Sequence, residues 1–302
     1  MVAKGISSEL SYPSNYVEVY GSKMHYVEAG SGVPILFLHG VPMSCYVWRN
    51  IIPHLAPLGR CIAPDLIGFG KSDKPDIAYT IFDHIQYIDK FIATLGLKNI
   101  TLVLHGWGSV IGFDYAMRHE DNCRGLVFYE AFLRSLNGQD ISLPFQEQIL
   151  ALQDEMNISD RIMNGTSFVD KIIPQEVMRQ LTDEEMNYYR EPFLQDGANK
   201  PILQYLKDLP KGEGHTKVDQ LIANYSKKLM RSSLPKLLLY SVPGFITTIA
   251  TAMWAKEHLP NLEIADLGEE LHLAQESCPD IMGETISVWL QGVEAEQVKH
   301  EE

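Results

Sequence analysis

The stretch from residue 101 to residue 112 constrains the fold of this chain more than any other part of its sequence. Residues 100–104 are apolar and rich in β-branched side chains, as in a strand buried on both faces of a parallel sheet. Residues 108–118 suit a helix, which leaves only residues 105–107 to make the turn. This pattern predicts a nucleophile elbow, in which backbone N–H groups at the helix N-terminus favour developing negative charge.

The middle residue of the predicted elbow is Gly106. An elbow holds that residue in a strained turn so that its side chain can attack a substrate. Glycine has no side chain, and it therefore has no atom with which to attack. The sequence thus predicts the backbone of a catalytic site without its nucleophile, and any function assigned to the chain must be compatible with this loss.

Strand-like and helix-like segments alternate on both sides of the elbow. Buried strands are predicted at 34–38, 61–64 and 125–129, an N-terminal hairpin at 16–29, and helices at 48–55 and 80–95, of which the second is amphipathic. Because parallel strands need crossover connections, which are usually helical, the alternation predicts an α/β protein with a mostly parallel sheet flanked by helices.

The pattern changes between residues 134 and 215, where strand signals are absent. Helical segments are predicted there at 144–156, 168–179 and 182–190. Strand character returns at 234–240, so the helical part is an insertion in the α/β frame. Ligand sites in such sheets lie at the carboxyl ends of the strands. We therefore predict a main domain made of residues 1–133 and 216–302, with a helical cap at 134–215 over its ligand site.

Three candidate catalytic positions each follow a predicted strand, namely Gly106, Glu130 and His272. Their order along the chain is nucleophile, acid and base, as in an α/β-hydrolase triad. His272 would act as a general base and Glu130 would orient its imidazole. From the residues alone the alternatives stay open: His272 is a structural loop histidine, and Glu130 is a helix N-cap or a solvated carboxylate.

Other polar and aromatic residues near these positions have plainer interpretations. Trp107 either donates its indole N–H to an anion or packs in the core. Asp65 and Asp73 are predicted to be turn and capping residues. His39 and Gly40 are predicted to shape a loop that supplies an oxyanion-hole N–H.

The composition excludes several classes of function. The net charge of −14 argues against a nucleic-acid partner, which needs a basic patch. No apolar run approaches the roughly 20 residues of a membrane span, and the first residues lack the apolar segment of a secretory signal. We therefore expect a cytoplasmic protein. The cysteines are scattered without metal-ligand spacing and are predicted to be reduced structural thiols, at positions Cys45, Cys61, Cys123 and Cys278.

Several motifs, taken together, resemble the haloalkane dehalogenase family of α/β-hydrolases, over roughly residues 15–295. The matching stretches are residues 39–50, 61–72, 76–79, 105–108, 129–131, 189–193, 243–244 and 272–283. The position of Glu130 resembles the branch whose catalytic acid follows the sixth strand. Coelenterazine-type luciferases share the same scaffold and much of the motif set. The resemblance implies an α/β-hydrolase fold with an inserted helical cap.

The family's chemistry, as the resemblance implies it, runs in two steps. An elbow aspartate displaces halide from carbon to form an alkyl ester, and water activated by the histidine hydrolyses that ester. On this scheme Glu130 is the acid, His272 is the base, and Trp107 is one of two side-chain donors to the halide. Two positions depart from the family: Gly106 stands where the nucleophilic aspartate belongs, and Val41 where the second halide donor, an asparagine, belongs.

These observations predict a haloalkane dehalogenase-like hydrolase that is inactive or strongly impaired with the present residue at position 106. The expected ligands are a small apolar halogenated substrate and a halide ion, with no metal or cofactor, no nucleic acid and no membrane, in a monomer or homodimer. One alternative is a catalytically silent ligand-binding protein, which Val41 favours because the halide donor is lost as well. Another is a different activity in the same pocket, such as epoxide hydrolysis or luciferin oxidation.

Overall fold

The computed structural model describes residues 5–135, 142–143, 145, 165–210 and 216–301, with the backbone alone from residue 296 onward. The helix predicted at 144–156 lies almost wholly outside the described residues. Among the described residues, none of the helices combines the length and the apolar character needed to cross a bilayer.

One eight-stranded sheet forms the centre of the described structure, with the strand order β1-β2-β4-β3-β5-β6-β7-β8. The strands are β1 Ser14–Val19, β2 Ser22–Ala29, β3 Pro34–Leu38, β4 Arg60–Pro64, β5 Ile100–Gly106, β6 Cys123–Ala131, β7 Lys236–Tyr240 and β8 Leu262–Asp266. The pairs β1–β2 and β2–β4 are antiparallel, and every other neighbouring pair is parallel. The predicted α/β architecture with a mostly parallel sheet is therefore confirmed.

Helices flank this sheet and also lie in the insertion between β6 and β7. They are α1 Ile52–Leu55, α2 Ile81–Thr94, α3 Trp107–Arg118, α4 Ser167–Ile172, α5 Asp183–Arg190, α6 Lys200–Asp208, α7 Lys217–Leu229, α8 Ile249–His258, α9 Ala274–Ser277 and α10 Pro279–Glu301. Short 3₁₀ turns lie at Cys45–Trp48, Glu120–Asn122, Ile173–Gln175 and Glu191–Phe193.

The predicted elements differ from the observed ones mainly at the ends of helices. The segment predicted as a helix at 48–55 is a 3₁₀ turn followed by the single turn of α1. The charged residues near the end of the sequence continue α10 to Glu301. Helix α7 was not predicted, although Thr216 and Asp219 form a capping box at its start and its apolar face is buried.

The described residues between positions 134 and 215 form helices and 3₁₀ turns, while the sheet resumes only at β7. This agrees with a helical insertion. The boundaries of the cap at residues 134 and 215 stay a prediction.

Small residues of α3 fix the distance between this helix and the sheet. A Cβ atom on Gly108 would lie 2.3 Å from the carbonyl oxygen of Leu38, and one on Gly112 would lie 2.2 Å from a methyl carbon of Leu104. Any larger side chain would therefore push α3 away from β3 and β5. The two glycines thus hold the N-terminus of α3 tightly at the end of the central strand.

Candidate active site

The elbow occupies the junction between β5 and α3. Gly106 is the N-terminal capping residue of α3, with φ +51° and ψ −124°, in the region that L side chains rarely adopt. A Cβ atom built on it would lie 3.3 Å from Nε2 of His272 and 3.3 Å from Cα of Gly40. The strained backbone of a nucleophile elbow is thus present, and a side chain at this position would meet the imidazole of His272.

The base and the acid of the predicted triad are hydrogen-bonded to each other. Nδ1 of His272 lies 3.1 Å from Oε2 of Glu130, and both side chains are buried. This distance falls within the range of a well-formed hydrogen bond. The two residues are 142 positions apart in the chain, so the tertiary fold brings them together.

Three consecutive backbone N–H groups hold the carboxylate of Glu130. Phe245 and Thr247 donate to Oε1 at 3.0 and 3.3 Å, and Ile246 donates to Oε2 at 2.5 Å. Glu130 also has φ +49°, which is uncommon for a residue other than glycine. Strain of this kind is found mostly at functional sites. The structure therefore excludes the solvated-carboxylate interpretation of Glu130.

Burial dominates the electrostatics of this pair. It raises the pKa of Glu130 to about 7, and the backbone N–H groups of Ile246 and Phe245 act in the opposite direction. It lowers the pKa of His272 to about 3. The imidazole is therefore neutral at neutral pH, and when Nδ1–H donates to Glu130 the unprotonated Nε2 faces the elbow. This is the form that a general base requires.

His105 supports the loop that carries His272, and sequence reasoning missed this role. Its Nε2–H donates to the backbone oxygen of His272 at 2.8 Å. Burial lowers the pKa of His105 well below its usual value, so its ring stays neutral. The hydroxyl of Tyr129 donates to the backbone oxygen of Leu271, the preceding residue. The position of His105 next to the elbow could have indicated a functional role, but the sequence alone does not show which group its imidazole binds.

Ser109 was also missed, although it lies in the first turn after the elbow. Its hydroxyl donates to the backbone oxygen of Gly106 at 2.6 Å and accepts from the backbone N–H of Phe132 at 3.0 Å. Ser109 thus ties the elbow to the chain that leaves β6, immediately beyond Glu130.

A small apolar cavity of about 20 Å³ lies beside His272. Val41 is buried and lines this cavity, as do Phe145, Phe168, Ile172, Glu176, Tyr205, Leu206, Leu209, Phe245 and Ile246. Trp107 packs edge-on against Tyr205 with 5.0 Å between ring centroids. The structure therefore brings Val41 and His272 to one cavity and places Trp107 against its wall.

The remaining residues singled out in the sequence shape loops. Asp73 accepts the backbone N–H of Lys23 at 2.7 Å. Nδ1 of His39 bonds to the backbone oxygen of Gly40 at 2.7 Å, and its Nε2 accepts the N–H of Leu66 at 3.0 Å. The contacts of His39 agree with its predicted role in shaping the loop. Asp73 instead binds a backbone N–H group 50 positions away, and Asp65 accepts the backbone N–H groups of Cys45 and Lys71.

The mostly parallel sheet, the elbow, and an acid–base pair in the order of an α/β-hydrolase together define the class of this protein. The family model described as alpha/beta hydrolase fold matches residues 33–196. The chain therefore belongs to the α/β-hydrolase family.

Sequence similarity to individual proteins assigns the chain to one family within the α/β-hydrolases. The haloalkane dehalogenase of Mesorhizobium japonicum is 38% identical over 280 residues, which cover 92% of this chain and 91% of that protein. A haloalkane dehalogenase of Sphingobium indicum is 36% identical over 282 residues, covering 91% of this chain and 94% of the relative. The chain belongs to the haloalkane dehalogenase family.

Solved structures agree with this assignment. The haloalkane dehalogenase DbeA from Bradyrhizobium elkani aligns with a TM-score of 0.90 at 35% identity, covering 94% of this chain and 99% of that one. The haloalkane dehalogenase DatA from Agrobacterium tumefaciens aligns with a TM-score of 0.87 at 34% identity, with coverages of 93% and 97%.

Proposed function

We propose that this protein is a haloalkane dehalogenase-type hydrolase whose cycle is blocked at the first step, because Gly106 occupies the position of the nucleophile. The observation that carries this proposal is the position of His272. Its Nε2 lies 3.3 Å from the place where a Cβ atom of residue 106 would be, while its Nδ1 is bonded to Glu130. The base is therefore aimed at a nucleophile that the sequence does not supply.

The two steps of the reaction depend on different residues. In the first step a carboxylate oxygen forms a bond to the substrate carbon, and the carbon–halogen bond breaks to release halide. In the second step His272 removes a proton from water, the water oxygen attacks the ester carbonyl, and the alcohol leaves. Gly106 removes the first step, and without an ester the pair His272–Glu130 has no substrate.

The cavity wall suits a small apolar ligand. Its lining is mostly aliphatic and aromatic, and burial of such surface is what drives apolar ligands into pockets. A cavity of about 20 Å³ holds little more than one water molecule, so a haloalkane requires the lining side chains to move apart. Val41 offers no donor to a halide, which leaves Trp107 as the side-chain donor on this scheme.

Restoring the nucleophile tests the proposal directly. We expect Gly106→Asp, combined with Val41→Asn, to release halide from short bromoalkanes at a rate on the order of 10⁴-fold above the unmodified chain, since a missing nucleophile costs an enzyme about that much or more. The single variant Gly106→Asp should be slower, because its leaving group lacks one donor in the transition state. Halide release and proton release are both measured.

Gly106→Ala is the matched control. It introduces the same Cβ atom, with the same approach of 3.3 Å to His272 and Gly40, but no carboxylate, and it should stay at background. If the double variant folds, binds bromide and releases no halide from a broad panel of haloalkanes, the chain is a catalytically silent ligand-binding protein instead. Turnover by the unmodified chain would show that water or another residue acts as the nucleophile.

A further inference from the structure

His25, Cys45 and Asp65 meet at the wall of a second cavity, well separated in sequence but adjacent in the fold. One ligand atom from each, an imidazole nitrogen, the thiol sulfur and a carboxylate oxygen, lies within 4.8 Å of the other two, and all three residues are buried. We propose that these residues form a binding site for Zn²⁺. Cysteine spacing alone predicts no such site, because the other two ligands come from β2 and from the end of β4.

The combination of ligands favours zinc. Thiolate, imidazole and carboxylate together suit a borderline-soft divalent cation, whereas Mg²⁺ and Ca²⁺ prefer oxygen ligands alone. Three protein ligands with a fourth position for water or substrate is the pattern of zinc sites that carry out chemistry.

Outer contacts already orient the side chains of His25 and Asp65. Ser14 Oγ lies 3.0 Å from Nε2 of His25, on the side of the ring away from Asp65. The backbone N–H groups of Cys45 and Lys71 donate to Oδ1 and Oδ2 of Asp65, each at 2.7 Å. Partners of this kind fix the ring orientation of a ligating histidine and hold a ligating carboxylate in place.

Zinc would take the place of two protons, one between His25 and Asp65 and one on the thiol of Cys45. Nδ1 of His25 lies 2.8 Å from Oδ2 of Asp65, so one proton lies between them. On metal binding this proton moves to Nε2, where Ser14 Oγ accepts it in a hydrogen bond, and the thiol of Cys45 loses its proton to solvent. Zinc bonds of about 2.0–2.3 Å place ligand atoms roughly 3.3–3.8 Å apart in a tetrahedron, and the ligand atoms of the three residues lie within 4.8 Å of one another before any rearrangement.

The site has access to solvent and to ligands. His25, Cys45 and Asp65 all line a cavity of about 430 Å³, together with Ser44 and Lys71. A water molecule or an oxygen atom of a small ligand in this cavity would complete the tetrahedron. Among the described residues, this cavity and the one beside His272 have no lining residue in common, so the proposed zinc site is independent of the hydrolase site.

Titration of the reduced, chelator-treated chain with Co²⁺ and then Zn²⁺ tests the proposal. We expect one Co²⁺ per chain, with tetrahedral ligand-field bands and a thiolate-to-cobalt charge-transfer band, both of which Zn²⁺ abolishes stoichiometrically. Cys45→Ser should remove the charge-transfer band and lower the Zn²⁺ affinity at least about tenfold. Ser14→Ala should lower it by about 10- to 100-fold, the usual loss for an outer-shell partner.

Cys278→Ser is the control, because Cys278 is a half-buried thiol outside the proposed site, and it should bind as the unmodified chain does. Cobalt bound without a charge-transfer band, or equal Zn²⁺ affinity in Cys45→Ser and the unmodified chain, would overturn the proposal. If Cys45→Ser does not fold, the spectrum of the unmodified chain and the affinity of Ser14→Ala still decide the question.

Discussion

The two halves of the hydrolase site differ sharply in how complete they are. The base half, Glu130 and His272, is buried, hydrogen-bonded and supported by several neighbouring groups. The nucleophile half, Gly106 and Val41, keeps its backbone conformation but has no polar side chain. On the proposed function, the first half holds the acid and the base, while the second has the backbone of an elbow without a nucleophilic side chain.

The difference follows from what holds each half in place. Backbone N–H groups of residues 245–247 bind Glu130, and His105 binds the backbone of His272. None of these contacts involves a side chain at position 106. The elbow in turn is fixed by β5, α3 and Ser109. A substitution at position 106 therefore leaves these contacts in place, and variants can probe the two halves separately.

The largest effect is expected when the base is removed from a chain with a restored nucleophile. His272→Gln in the background Gly106→Asp, Val41→Asn should release one halide per chain in a burst, since the alkyl ester forms at the usual rate but is hydrolysed slowly. Steady turnover should fall on the order of 10²–10⁴-fold. Intact-protein mass spectrometry should show the alkyl adduct in this variant alone. Continued turnover at an undiminished rate would mean that His272 is not the base.

The halide donor should have a smaller effect. In the unmodified chain, Val41→Asn adds one hydrogen bond to an anion, which contributes roughly 1.5–3 kcal/mol. Halide affinity should therefore rise about 10- to 150-fold, as measured by quenching of tryptophan fluorescence with chloride or bromide. Val41→Leu, of similar size but without a donor, is the matched control. Equal affinities in the Asn and Leu variants would show that position 41 does not contact the halide.

The smallest effect concerns the free energy of unfolding at low pH. It tests whether a charge at position 106, in one half of the site, changes the pKa of His272 in the other. Burial lowers the pKa of His272 to about 3, so the unfolded chain takes up a proton near pH 6.5 that the folded chain does not. His272 therefore contributes stability above pH 6.5 that is lost as the pH falls from about 6.5 towards 3. Gly106→Asp places a carboxylate beside the imidazole of His272 and raises the pKa of that imidazole. The substitution should therefore reduce the loss of stability at low pH, by about 1.4 kcal/mol for each unit by which the pKa of His272 rises.

Urea unfolding at pH 7 and pH 4.5 measures how much the free energy of unfolding falls between the two pH values. The unmodified chain and Gly106→Asp are compared, with Gly106→Asn as the uncharged control. Glu130 acts in the opposite sense, because burial raises its pKa to about 7, and the stability that it contributes at low pH is lost as the pH rises through 7. This contribution is common to all three proteins and cancels in the comparison. An equal loss of stability in the Asp and Asn variants would show that residue 106 does not act on His272 electrostatically.

Local pattern in the sequence determined the strands, the elbow and the positions of the candidate catalytic residues after their strands. Apolar runs in β3, β5 and β6 are buried on both faces, and that burial is visible in the letters themselves. The glycine at the middle of the elbow was also visible in the sequence, because the absence of a side chain needs no structure to be recognised. Helix α7 could have been predicted from its capping box and apolar spacing.

Tertiary structure alone decided which distant residues meet. His105 and His272 are 167 positions apart. The carboxylate of Glu130 binds the backbone N–H groups of residues 245–247, which follow it in the chain by 115 to 117 positions. The cluster of His25, Cys45 and Asp65 arises from two neighbouring strands and a 3₁₀ turn. Sequence patterns record which face of an element is apolar, since burial repeats with the period of the element. Polar side chains that bind each other across the fold are not spaced at regular intervals in the sequence. Which of them pair depends on where the sheet places the ends of its strands.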